Sequence, residues 1–266
     1  ECFRMLSFGF AASVGDQLEP NGRLNSGTYN LIGKVYRQFA EREDWARPAQ
    51  ALTEAALVTS EDPRFEHRIP DSILGASQLL EELAVQFDLI DPSMSLDAYR
   101  MIFLPDDLIV SADFQKKLDA YVAGGGKVIA CARGGLSDAG RYPASFGVDY
   151  LGKNEVFPDF VIPQADLARQ LEEGLEYVIY QQGEKIAPTM AEVILEARAP
   201  YFKRAGDWFC SHRYTPSAKG ETYPAATQNG AVILFTHPLF TQYRSNAPFW
   251  CKRLIANALD RLLPER

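Results

Sequence analysis

Residues 98–136 read AYRMIFLPDDLIVSADFQKKLDAYVAGGGKVIACARGGL. Two apolar runs, MIFL and KVIACA, flank a segment in which Phe114, Leu118, Tyr121 and Val122 return at steps of three and four residues. That spacing puts the four side chains on one helical face, whereas the runs beside it are short and continuous. Pro105 has no amide hydrogen and ends the first run, Ser111 is placed to cap the helix, and the glycines at 124–126 stop it. The reading is strand, helix, strand. Apolar runs without polar alternation belong to strands buried on both faces, which is the condition of a parallel sheet between helices.

The same alternation extends outward. AALVTS, from Ala55, is a short strand, and in ILGASQLLEELAVQF the residues Ile73, Leu74, Leu79, Leu80, Leu83 and Phe87 share a helical face. Further on, YVIY and AEVILEARA read as strands, with an antiparallel pairing about Gln182 and Gly183 as one arrangement. GAVILFTHP is a buried strand. NAPFWCKRLIANALDRLLP is a closing amphipathic helix that buries Phe249, Leu254, Ile255, Ala258, Leu259 and Leu262. Residues 136–168 carry no assignable period. The expected fold is α/β, with a parallel-rich sheet covered by helices on both faces.

The first forty-odd residues follow a different pattern. In SFGFAASVGDQLEPNGRLN, residues 7–25, an apolar run enters a Gly-Asp-Gln turn, and this reads as a strand followed by a loop. Asn25 or Ser26 can cap the helix that follows, whose buried stripe is Tyr29, Ile32, Val35, Tyr36 and Phe39. The stripe is lost in WARPAQALTE, where Pro48 falls. The expected division is residues 1–46, a linker at 47–54, and a second domain at 55–266.

The composition is 47% hydrophobic and 23% charged, that of a globular chain with a real core. A net charge of -8 opposes binding to nucleic acid or to anionic membranes, since both need a basic patch that releases counterions. The four cysteines are far apart and the three histidines are scattered, so no metal-ligand spacing occurs and neither a metal nor another cofactor is expected. The chain holds no apolar run of about 18 residues. A reducing, cytoplasmic setting is expected.

Residues 98–136 and VILFTHPLFTQYRSNAPFWCKRLIANALDRLLP, residues 232–264, together resemble the trimerisation domain of family 42 β-galactosidases. The resemblance implies a three-layer, flavodoxin-like fold of the class I glutamine amidotransferase type. Residues 7–25 look like the last strand and loop of the (β/α)8 barrel in β-galactosidases and α-L-fucosidases, which would make residues 29–43 the eighth barrel helix. The resemblance spans residues 3–46 and 52–264. It implies a homo-oligomer, specifically a trimer, and a glycoside substrate for the full-length enzyme. It also implies that the two catalytic carboxylates lie on earlier barrel strands, so no catalytic residue is expected in this chain.

Three residues are candidates for substrate contact. By the resemblance, Asp16 and Gln17 fall on the barrel rim, where a carboxylate beside an amide suits bidentate bonds to sugar hydroxyls; the plainer reading is a capped turn. His212, beside Arg213 in CSHRYTP, can reach a neighbouring subunit's rim or belong to an exposed connector. A rival function is a free-standing amidase with Cys131 as nucleophile and His237 as base. Against it, an elbow nucleophile needs small neighbours two residues away, where Ile129 and Arg133 stand, and Leu239 occupies the place of the orienting carboxylate. Asp106 and Asp107, with Glu61 and Asp62, suggest a Mg²⁺ pocket, but no lysine is suitably placed and Asp107 can serve as a cap. Tyr201, Phe202, Trp208 and Phe209 are candidate interface anchors or core residues.

Overall fold

The computed structural model describes residues 1–59, 69–201 and 216–265. The chain separates into two units, Glu1–Leu52 and Thr53–Arg266. In the first unit, α1 (Cys2–Ser7) and α2 (Ser26–Ala46) are joined by residues that form no regular element. The strand expected from Ser7 onward is therefore a correction. A strand is held by a hydrogen-bonded neighbour, and among the described residues this unit offers none. Asn25 caps α2, its side-chain oxygen accepting from the Thr28 amide at 3.0 Å. Of the expected stripe, Phe39 is buried and Ile32 and Val35 are half-buried, while Tyr29 and Tyr36 are exposed. The Tyr36 hydroxyl instead donates to the Ala12 carbonyl.

The second unit opens with β1 (Ala55–Val58), α3 (Asp71–Glu82) and β2 (Phe87–Ile90). Next come β3 (Met101–Leu104), β4 (Ile109–Val110), α4 (Ala112–Ala123), β5 (Lys127–Cys131) and β6 (Leu136–Ser137). They are followed by β7 (Val148–Lys153), β8 (Asp159–Ile162), β9 (Tyr177–Ile179), β10 (Glu184–Pro188) and β11 (Glu192–Pro200). β12 (Ser217–Asn229), β13 (Val232–Phe235), α5 (Leu239–Asn246) and α6 (Phe249–Leu262) complete the unit.

Nine strands form one sheet in the order β2-β1-β3-β5-β13-β12-β11-β8-β9. The run from β2 to β13 is parallel, and β12, β11, β8 and β9 extend it antiparallel. In chain order the parallel part is 2-1-3-4-5, the flavodoxin arrangement, in which ligands meet the carboxyl ends of the strands. The fold is thus the expected α/β type.

Period two along each parallel strand sorts its side chains between two cores. Leu57, Met101, Phe103, Ile129, Cys131, Ile233 and Phe235 face one core, which α3, α5 and α6 cover. Ala56, Val58, Ile102, Leu104, Val128, Ala130, Val232 and Leu234 face the other, covered by α4 and by Tyr142, Phe146, Val148 and Ile186. Each large apolar side chain so buried contributes roughly 1.5–3 kcal/mol. Helix α4 begins where the sequence places its cap, with the Ser111 hydroxyl accepting from the Phe114 amide at 3.2 Å.

Three further expectations need correcting. Phe87 belongs to edge strand β2 and not to the preceding helix, which ends at Glu82. It lies four residues after Leu83, so the helical period runs through the turn by coincidence. β9 and β11 do not pair with each other; each pairs with β8, while residues 184–188 pair with β7. Phe249 is 59% exposed because it occupies the first position of α6, before the helix meets the sheet. The unassigned stretch at 136–168 contains β6, β7 and β8.

Candidate functional site

The carboxyl ends of β5 and β13 lie side by side, with Phe235 opposite Cys131. Beyond Cys131 the chain turns sharply. Ala132 takes a φ of 45°, a left-handed value uncommon for a residue with a side chain. Its amide still donates to the Phe235 carbonyl, at 2.7 Å. A Cβ on Gly134 would come 2.6 Å from the Leu104 carbonyl oxygen, so the turn admits only glycine there. No helix follows this elbow, since residues 132–135 turn directly into β6, and the residue at its left-handed position is Ala132 rather than Cys131. An alanine methyl has no nucleophilic atom.

Cys131 itself points into the core under α5 and α6 and is fully buried. Burial, then the nearby Asp106 and Cys251, pushes its thiol well above the usual range, away from a reactive thiolate. No hydrogen bond joins Cys131 to His237. His237 is 1% exposed, and both ring nitrogens are engaged: Nε2 lies 2.8 Å from Asp159 Oδ2 and Nδ1 lies 3.2 Å from the Thr236 hydroxyl. Tyr223 donates its hydroxyl to the same Asp159 oxygen. A base needs a free lone pair directed at a nucleophile, and this arrangement provides neither.

The space above the elbow is filled by the segment entering β10. A Cβ on Gly183 would approach His237 Cδ2 to 2.8 Å, so the backbone lies directly on the imidazole. The Glu184 amide donates to the Thr236 carbonyl. Its carboxylate accepts from the Tyr150 hydroxyl at 2.7 Å and sits 3.9 Å from Arg133 Nε. Burial raises the Glu184 carboxyl above its ordinary value, opposed by Tyr150, Arg133, Lys153 and His237. Tyr142 closes the ring of contacts, its hydroxyl donating to the Ala132 carbonyl. Asp159, Glu184, Tyr150 and Tyr223 were not singled out from the sequence, because 64 residues separate the Asp159 and Tyr223 partners and nothing local couples them.

The acidic pair after β3 is also occupied. Asp106 accepts from the Thr241 amide and hydroxyl at 2.6 and 2.7 Å, anchoring the amino end of α5. Asp107 accepts from the Ser72 hydroxyl. Glu61 and Asp62 lie outside the described residues, and among those described no three of His, Cys, Asp or Glu form a metal cluster. Asp16 and Gln17 are exposed on the irregular segment between α1 and α2. His212, Arg213, Phe202, Trp208 and Phe209 lie outside the described residues, and Tyr201 is 75% exposed.

A flavodoxin-type sheet whose elbow carries alanine, with Cys131 turned into the core and Gly183 laid on His237, does not support the amidase built on those two residues. The family described as beta-galactosidase trimerisation domain matches residues 54–204, and the chain belongs to that family. The α-L-fucosidase isoenzyme 2 of Paenibacillus thiaminolyticus has a similar structure, with 31% identity and a TM-score of 0.88 over 98% of this chain and 40% of that one. A β-galactosidase from Bacillus circulans sp. alkalophilus matches at 17% identity and a TM-score of 0.65, over 92% of this chain and 36% of that one. A putative ThuA-like protein from Bacteroides uniformis shares the fold at 14% identity and a TM-score of 0.54, over 82% of this chain and 95% of its own length. This chain therefore spans about two fifths of the fucosidase's length. No curated protein matches it on sequence. Among the described residues no helix is long and apolar enough to cross a membrane.

Proposed function

We propose that this chain is the carboxyl-terminal part of a glycoside hydrolase of the α-L-fucosidase or β-galactosidase type, with residues 55–266 holding the subunits of a homotrimer together. The observation that carries the reading is the match to the fucosidase over 98% of this chain, which runs through both units. Residues 1–46 are then the end of a catalytic barrel, residues 47–54 the linker, and the hydrolytic carboxylates belong to the remainder of the parent enzyme. The exposed apolar side chains of the first unit, Phe8, Phe10, Leu31 and Trp45, fit a surface that packs on such a barrel.

In the parent enzyme Asp16 and Gln17 contact the sugar from the rim, and His212 reaches a neighbouring subunit's site. Three described cysteines are unpaired, in keeping with a cytoplasmic, reducing setting. The full-length parent is expected to be trimeric by light scattering and to cleave an aryl α-L-fucoside or an aryl β-D-galactoside. Asp16→Asn and His212→Ala should each raise KM at least fivefold. A monomeric parent, or one inert on both glycosides, refutes the reading.

A further inference from the structure

On the outer side of Tyr142 and Tyr150, away from the sealed elbow, lies an open cleft of about 620 Å³. Its lining includes Arg141, Tyr142, Asp149, Tyr150, Thr189 and Met190. The two tyrosine rings stand perpendicular, with centroids 6.0 Å apart, and Tyr142 also stacks on Phe146 at 5.4 Å. Each is fixed at its far end, Tyr142 by the Ala132 carbonyl and Tyr150 by Glu184. The aromatic wall is therefore set before any ligand arrives, which removes an ordering cost from binding.

The polar groups of the cleft contrast with this fixed wall. Arg141, Asp149 and Thr189 are exposed, and among the described residues the guanidinium, the carboxylate and the hydroxyl have no hydrogen-bond or ion-pair partner. A fork of donors, a pair of acceptors and a hydroxyl converge on a space of ligand-pocket size beside rigid rings. One cation and one anion leave the lining without net charge, which does not favour a phosphate or a carboxylate ligand. From this geometry we infer that the cleft is a binding site for a neutral saccharide, separate from the rim residues Asp16 and Gln17. The ring hydroxyls meet Arg141, Asp149 and Thr189, and an apolar sugar face lies on the half-buried ring of Tyr150, which the buried Tyr142 backs.

The test is NMR titration of this 266-residue chain with methyl α-L-fucoside, methyl β-D-galactoside and lactose. At least one sugar should produce saturable shifts confined to residues 139–151 and 188–190, with Kd on the order of 1 mM. Arg141→Ala and Asp149→Asn, both surface changes, should each weaken it at least tenfold, while Asp16→Asn leaves it unchanged. Inorganic phosphate at equal concentration should shift nothing. Absence of saturable binding overturns the inference, as does binding that survives both cleft variants or is lost in Asp16→Asn. Shifts that depend on protein concentration alone overturn it too, because they mark the cleft as a contact with a second copy. A parent enzyme inert on glycosides would leave this site standing, and a parent active without cleft binding would leave only the previous reading.

Discussion

Asp106 is almost wholly buried, yet it is the group on which the amino end of α5 hangs. Burial raises its carboxyl from 3.8 to about 7, partly offset by the hydrogen bonds from Thr241 and Phe240. As pH climbs from about 4 to 7 the unfolded chain releases this proton while the folded chain keeps it. The stabilisation is therefore complete below pH 4 and is lost as pH rises through 7. Asp106→Asn should flatten that slope in denaturant titrations at pH 4, 5.5 and 7, by up to about 4 kcal/mol across the window. A variant whose stability changes with pH as steeply as the parent's would refute the assignment. Cys131 belongs to the same scale. Its raised thiol and complete burial predict that iodoacetamide labels it only at the rate of global unfolding, even at pH 8.5. Fast labelling of folded protein, read by peptide mass, would reopen the amidase reading.

Among the described helices, α3 and α5 share the most extensive contact, and one residue permits it. A Cβ on Gly75 would fall 2.0 Å from the Phe240 carbonyl oxygen, a backbone atom that cannot rotate away. Gly75→Ala must push the helices apart, and overpacking of this kind costs about 3 kcal/mol. Thermal melts should show a fall of well over 5 °C, and a variant as stable as the parent would show that the helices separate freely. Glu82 secures the same layer from its exposed edge, accepting from Tyr243 at 2.5 Å and Lys252 at 2.7 Å. Those bonds, Lys252 foremost, lower its carboxyl from 4.5 to about 2. Its contribution is present above pH 4.5 and is lost as pH falls through 2. Because the pair faces solvent, Glu82→Gln should cost no more than about 1 kcal/mol at pH 7, measured by urea unfolding.

At the scale of the whole molecule, the two units differ in how they bury apolar surface. The second has two continuous cores on either side of its sheet. The first has Phe39 and Ala46 as the buried residues of its long helix. The second unit expressed alone, residues 53–266, should therefore unfold cooperatively, and the first should be helical only marginally by circular dichroism. An isolated first unit that melts cooperatively with full helicity would remove the argument that its apolar face evolved for a partner.

Continuous apolar runs, a three- and four-residue helical period, and glycine and proline stops were enough to read β1, β3, β5 and β13 of the parallel half, because each depends on neighbours within a dozen residues. MIFL, KVIAC and VILF occupy the strands assigned to them, and Ser111 caps its helix. Edge strand β2 was not legible, and in the antiparallel half YVIY and AEVILEARA were read as the strands they are, β9 and β11, while β8, β12 and the pairing were not. Half-exposed strands lose the pattern, and their pairing is settled by partners far along the chain. The site shows the same division. The sequence brought Cys131 and His237 to attention as strand-end residues, and its missing carboxylate at Leu239 already argued against a triad. Only the tertiary structure placed the elbow apex at Ala132, turned Cys131 into the core and laid Gly183 and Glu184 over His237, since side-chain direction and long-range contact arise only when the strands are assembled.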